Sequence, residues 1–110
     1  MKAILKYRLE ISDKPISLSL AQGFRPVRFE YVVSEKALFL WTEESLRADI
    51  SRRNVQFRIT RTGEPIQEGA QHLMTALDAF GPEAYHLFLL EGEPCTMEPR
   101  PVKNLDIRAA

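Results

Sequence analysis

The stretch Val27-Arg28-Phe29-Glu30-Tyr31-Val32-Val33-Ser34-Glu35-Lys36-Ala37-Leu38-Phe39-Leu40-Trp41 decides the reading of the fold. Side chains alternate across a β-strand, so Val27, Phe29, Tyr31 and Val33 on one parity, with Arg28, Glu30 and Val32 on the other, describe a half-buried strand. Ser34-Glu35-Lys36 has the composition of a turn. Residues 37–41 are then apolar at both parities, which suits a strand covered on both faces rather than an edge. These two strands are expected at the centre of an antiparallel β fold.

Outward from that centre the same alternation recurs. Upstream, Leu5, Tyr7, Leu9 and Ile11 alternate with Lys6, Arg8 and Glu10, and Ile16, Leu18 and Leu20 alternate with Ser17 and Ser19. The intervening Ser12-Asp13-Lys14-Pro15 is turn chemistry, so the two segments read as a hairpin. Downstream, Val55, Phe57 and Ile59 alternate with Gln56, Arg58 and Thr60 up to the turn Thr62-Gly63-Glu64-Pro65. Tyr85, Leu87 and Leu89 alternate with His86, Phe88 and Leu90 after Gly81-Pro82. Residues 42–53 are polar and irregular and read as a loop, and Leu73, Met74, Leu77 and Phe80 fit a helical stripe.

The expected fold class is therefore all-β or β-dominated: an antiparallel sandwich or strongly twisted sheet of six to seven strands, with room for one short helix within 68–80. Its core should contain Tyr7, Leu9, Phe29, Tyr31, Leu40, Phe57, Ile59, Leu87 and Leu89. Residues 1–91 form a β-rich domain, and Gly92, Pro94, Pro99 and Pro101 make residues 92–110 a Pro-rich extended C-terminal tail, suited to lying on a second copy in a homodimer.

Composition bounds the class. The 110 residues are 45% hydrophobic and 27% charged, with 5 Gly and 7 Pro, which describes one globular domain and excludes collagen-like and wholly disordered chains. No apolar run approaches the ~18 residues of a membrane span, and Lys6 and Arg8 interrupt any signal-like start, so a cytoplasmic protein with no membrane partner is expected. The single cysteine, Cys95, forms neither an intrachain disulfide nor a metal site by itself.

Net charge is zero but unevenly laid out. Residues 1–61 carry 12 basic and 7 acidic side chains, whereas residues 62–99 carry 7 acidic side chains and no basic one. The acidic group includes Glu64, Glu68, Asp78 and Glu83; Arg47, Arg52, Arg53, Arg58 and Arg61 crowd before it. Either the fold pairs the two groups loosely at the surface, or it separates them into faces that steer an oppositely charged partner.

Residue types able to do chemistry are present without an arrangement that does it. His72 and His86 meet only if their segments form a hairpin, and two imidazoles without a carboxylate or thiolate make a poor metal site. Cys95 sits in an acidic segment that disfavours a thiolate. Adjacent Glu43 and Glu44 point to opposite faces of a strand, or into solvent on a loop. No enzyme activity, cofactor or metal is expected. The five arginines, with Trp41 or Phe57 for stacking, make an alternative nucleic-acid surface, against which stand the pI of 6.7 and the expected burial of both rings.

Three motifs in order carry a resemblance: Lys6-Tyr7 with Leu9-Glu10, Phe57-Arg58-Ile59 leading into Thr62-Gly63-Glu64-Pro65-Ile66, and Tyr85-His86-Leu87-Phe88. Over residues 1–90 the chain resembles a family of small, uncharacterised proteins of tailed bacteriophages and prophages, departing from it after His72. The resemblance implies one β-rich domain, the cytoplasm of an infected bacterium, and a role in virion assembly, host takeover or protection from host defences. The expected function is a non-enzymatic binding protein that inhibits or modulates a host defence protein, as an anti-CRISPR does. Glu64, Glu68, Asp78 and Glu83 would present carboxylates to a nucleic-acid-processing partner. A virion accessory protein is the alternative, followed by a nucleic-acid-binding module built on Arg47, Arg52, Arg53, Arg58 and Arg61.

Overall fold

Strands that are apolar on one parity must bury one face, and here they do so against each other. In the computed structural model, which describes residues 1–91, the chain forms β1 (Lys2–Leu9), β2 (Ile16–Ala21), β3 (Arg25–Val32), β4 (Ala37–Ser45), β5 (Arg52–Arg61), β6 (Gln71–Asp78) and β7 (Glu83–Glu91). They assemble into a three-stranded sheet, β1-β4-β3, and a four-stranded sheet, β2-β5-β7-β6. Every pairing is antiparallel.

The apolar parities meet between the sheets. Leu9, Phe29, Leu38 and Leu40 from one side pack with Leu20, Phe57, Ile59, Leu87 and Leu89 from the other. Phe57 is completely buried and lies edge-on to Phe24 at 6.3 Å, and Tyr31 of β3 stacks on Tyr85 of β7 at 5.8 Å. All nine expected core residues belong to this cluster or, as with Tyr7 and Tyr31, pack against it half-buried.

β4 is covered on both faces because Ala37, Leu38, Phe39 and Leu40 are all buried. On its outer side Phe39 lies beneath Lys6, whose Nζ is 4.9 Å from the ring centroid, and beside Trp41 at 6.1 Å. Long cationic side chains shield apolar surface in this way while keeping their charge in water. β4 is thus the centre of its sheet. β3, expected beside it at the centre of the fold, is instead an edge strand.

Three further expectations are corrected. β1 and β2 form no hairpin: β1 pairs with β4 and β2 with β5, so residues 10–15 carry the chain from one sheet to the other. Alternation reveals which face of a strand is buried and not which strand lies beside it. The polar segment 42–53 is half strand, because β4 runs on to Ser45 and β5 begins at Arg52, leaving only residues 46–51 as a connection. There Thr42 and Glu44 point inward and are buried although polar.

The segment 68–80 contains β6 and no helix. Against β7, Gln71 opposes Leu89 and His72 opposes Phe88, but the next pair is Met74 with Leu87, so Leu73 is an extra, bulged residue. The bulge brings Leu73 and Ala76 to the core, at 6% and 4% exposure. That three-residue spacing imitates one turn of a helix. Of the rest of the supposed stripe, Met74 packs half-buried against the core, whereas Leu77 and Phe80 stand 70% and 82% exposed.

The buried carboxylate of Glu44 ties four strands together. Its Oε2 accepts hydrogen bonds from the Tyr7 hydroxyl of β1 and the Thr42 hydroxyl of β4, each at 2.6 Å. Its Oε1 accepts the Ala21 N–H of β2 at 3.0 Å and lies 3.4 Å from Nη1 of Arg52 in β5. Arg52 in turn donates to the Ser19 carbonyl at 2.6 Å. Burial works to raise the Glu44 carboxyl pKa, but the hydroxyls of Thr42 and Tyr7, the Ala21 N–H and the Arg52 charge outweigh it and hold the group below its ordinary value. The Tyr7 hydroxyl is pushed up by burial and by its bond to the carboxylate.

Two outcomes follow from the core and its carboxylate. Phe57→Ala should destabilise the domain by about 3–5 kcal/mol in a urea titration, the usual effect of emptying a buried phenylalanine site. Glu44→Gln should cost about 1–3 kcal/mol, because an amide cannot accept all four donors; Arg52 is half exposed, so its ion pair adds little. Because the folded Glu44 pKa is depressed, its contribution is complete above the ordinary glutamate range, about pH 4, and is lost as pH falls through the folded value. Denaturation midpoints measured from pH 7 down to pH 3 should therefore fall less steeply for Glu44→Gln than for the parent.

Candidate functional site

β6 and β7 are joined by a turn whose backbone is held by one side chain. Asp78 Oδ1 accepts the N–H groups of Phe80 and Gly81, each at 3.1 Å, an Asx-type turn. The carboxylate lies so close that a Cβ on Gly81 would sit 2.6 Å from Asp78 Oδ2. A larger residue there would push the Asp78 carboxylate aside and break its cap. The locked turn directs Phe80 and Leu77 into solvent.

Carboxylates gather around this end of the four-stranded sheet. Arg61 closes β5 opposite Tyr85, and its guanidinium lies 3.7 Å from Glu83 and 4.0 Å from Glu64. Glu64 also accepts the Arg61 N–H at 2.9 Å across the Thr62-Gly63 turn. Asp78 opposes Glu83 in the β6–β7 ladder. Glu64, Asp78 and Glu83, distant in sequence, therefore share one end of the fold with a single arginine among them. A depression of about 390 Å³ lined by Thr62, Leu77, Asp78, Pro82 and Glu83 lies beside them. Glu68 is exposed in the connection before β6, and no hydrogen bond or ion pair among the described residues ties it to the other three.

The five arginines are spread over the length of β5 and the connection before it. Arg47 is bound to Asp49 through two hydrogen bonds of 3.0 and 2.6 Å, and Arg52 serves Glu44 and Ser19. Arg53 opposes Leu20 in the β2–β5 ladder, Arg58 opposes Phe88 with its buried Nε lacking a hydrogen-bond partner, and Arg61 stands among the carboxylates. At about 3.3 Å per residue, Arg52 and Arg61 lie some 30 Å apart along β5. Of the two rings considered for stacking, Phe57 is sealed in the core and Trp41 is half-buried on the outer face of the other sheet.

The two histidines do converge, since β6 and β7 are neighbours. Their ring centroids are 6.2 Å apart, with the Thr75 hydroxyl 3.0 Å from His72 Nε2 and 2.9 Å from His86 Nδ1. His86 Nε2 is 2.9 Å from the Thr62 hydroxyl. Each of these contacts is to an uncharged hydroxyl, so the string orients the two rings. No cluster of three or more metal-ligating side chains exists among the described residues. Cys95 and the 92–110 tail lie outside the described residues.

A second charged surface escaped the sequence reading. On the outer face of β1-β4-β3, Lys6 opposes Trp41 and Arg8 opposes Phe39 from one side, and Arg28 opposes Trp41 from the other. Lys2 and Arg25 extend the same face. The signal lay in β1, whose polar parity is basic at Lys2, Lys6 and Arg8.

Among the described residues no helix is long and apolar enough to cross a membrane. No curated protein and no solved structure matches the chain. Residues 1–95, which include all seven strands, match the family described as "Domain of unknown function (DUF7352)", and the chain belongs to that family.

Proposed function

We propose that this protein is a non-enzymatic binding module that acts by occupying the surface of a partner protein with its β6–β7 end. The observation that carries the reading is the locked turn, with Phe80 at 82% and Leu77 at 70% exposure beside Asp78, Glu64 and Glu83. Exposed aromatic side chains on a preorganised backbone make effective anchors because little freedom remains to be lost on binding. The carboxylates favour an apolar pocket rimmed by lysine and arginine, as on proteins built to hold nucleic-acid phosphates. The motif resemblance to phage proteins directs this proposal to a defence protein in the cytoplasm of a bacterial host.

Capture of host proteins on the immobilised full chain, followed by mass spectrometry, tests the reading. Phe80→Ala should weaken capture of the principal partner about thirtyfold, the equivalent of about 2 kcal/mol at an interface anchor. Paired Glu64→Lys and Glu83→Lys should slow association and reduce its salt sensitivity. Gly81→Ala, which drives Asp78 from its cap, should weaken capture with the denaturation midpoint little changed. Undiminished capture by all three variants would refute the proposal.

A further inference from the structure

We infer that the outer face of the β1-β4-β3 sheet binds single-stranded nucleic acid, by a surface separate from the β6–β7 end and independent of the function proposed for it. Five cationic side chains occupy this face, Lys2, Lys6 and Arg8 from β1 and Arg25 and Arg28 from β3, against two carboxylates. Both carboxylates are already engaged on the face itself: Glu43 with Arg25 at 3.1 Å and Glu30 with Arg28. Arg8 approaches Glu35 at 3.8 Å with both side chains more than half exposed, a contact that a phosphate would readily displace. Lys2, Lys6 and Arg8 are left as an outward row of positive charge along an edge strand.

The centre of the face is aromatic, and this selects the ligand. Trp41 lies half-buried between Lys6 and Arg28, and Phe39 lies beside it under the Lys6 ammonium. Carboxylates alone would satisfy the charges but not the rings. An unpaired base stacks on such a ring whatever its identity, while its phosphate takes the neighbouring cation. Lys6 is placed to do both in turn: it covers Phe39 in the free protein and swings to a phosphate as a base replaces it. A duplex keeps its bases stacked on one another and gains only the charge.

Trp41 is the single tryptophan, so intrinsic fluorescence reports on the proposed surface directly. Titration of the full chain with a 12-nucleotide oligothymidylate, a length within the span such surfaces cover, should quench Trp41 with a dissociation constant of about 100 µM or tighter in 50 mM salt. Three phosphate contacts give a salt slope near −2, so affinity should fall about twentyfold between 50 and 200 mM salt. Lys6→Gln with Arg8→Gln should remove most of the binding and flatten the slope, whereas Lys6→Arg should retain both. Circular dichroism verifies that each variant is folded. Phe80→Ala should bind the oligonucleotide like the parent, which separates this surface from the β6–β7 end.

A blunt duplex of the same length should bind at least tenfold more weakly; equal binding would show a charge effect without stacking and overturn the inference. It would also be overturned by absence of quenching, by binding indifferent to the Lys6 and Arg8 changes, or by a Trp41 signal that depends on protein concentration without oligonucleotide. The last result would mean that a second copy occupies the face.

Discussion

The carboxylate of Glu44 sets the geometry on which the rest of the sandwich depends. Apolar packing between two sheets is non-directional and tolerates sliding, whereas hydrogen bonds to one buried anion from Tyr7, Thr42 and Ala21, with Arg52 beside them, do not. Those partners come from β1, β4, β2 and β5, so a single side chain relates the two sheets. Inward Glu44 also fixes the parity of the last turns of β4. A slip of one residue would bring Glu43 into the core and turn Trp41 away from the outer face. The surfaces assigned to partners are thus positioned by a group that neither of them contains.

Alternation exposed most of this fold in the sequence. β1, β2, β5 and β7 show their buried parity directly, as β3 does at Phe29 and Tyr31 beyond a bulge at Val27, and the doubly apolar 37–41 announces a strand flanked on both sides. What was illegible has three physical origins. A bulge at Leu73 shifts the phase of β6, so a strand with an added residue reads as a helical turn. The end of β4 and the start of β5 are polar because they enclose a satisfied carboxylate, and in a sequence such polarity looks the same as exposure. Strand partners are a tertiary property, invisible to a periodicity that concerns faces alone.

The same distinction governs the surfaces. Arginines close together in sequence suggest one group, yet an extended strand separates its ends, and Arg47, Arg52 and Arg61 each pair with a different carboxylate. Glu64 and Glu83 are far apart in sequence and meet around Arg61. Arg61 is paired among carboxylates, while the basic residues of β1 lie on the other sheet. Net charge of zero conceals this separation. The basic parity of β1 was legible, but as the solvent side of a strand it carried no further meaning until Trp41 and Phe39 were placed beside it.

The strand order also governs how the chain comes together. β3 with β4 and β6 with β7 are hairpins that close locally, but β1 must await a partner that lies 29 residues downstream at Leu9–Leu38 and 43 at Lys2–Ser45. At ribosomal rates of about 5–20 residues per second, the first strand exists without its neighbour for roughly 2–9 s. Through that interval its apolar parity is open to any other unpaired strand. Lys2, Lys6 and Arg8 alternate with that apolar row and repel identical segments, as gatekeeper charges do beside aggregation-prone strands. The cations assigned to a nucleic acid in the finished domain therefore guard the nascent chain before there is a sheet for them to decorate.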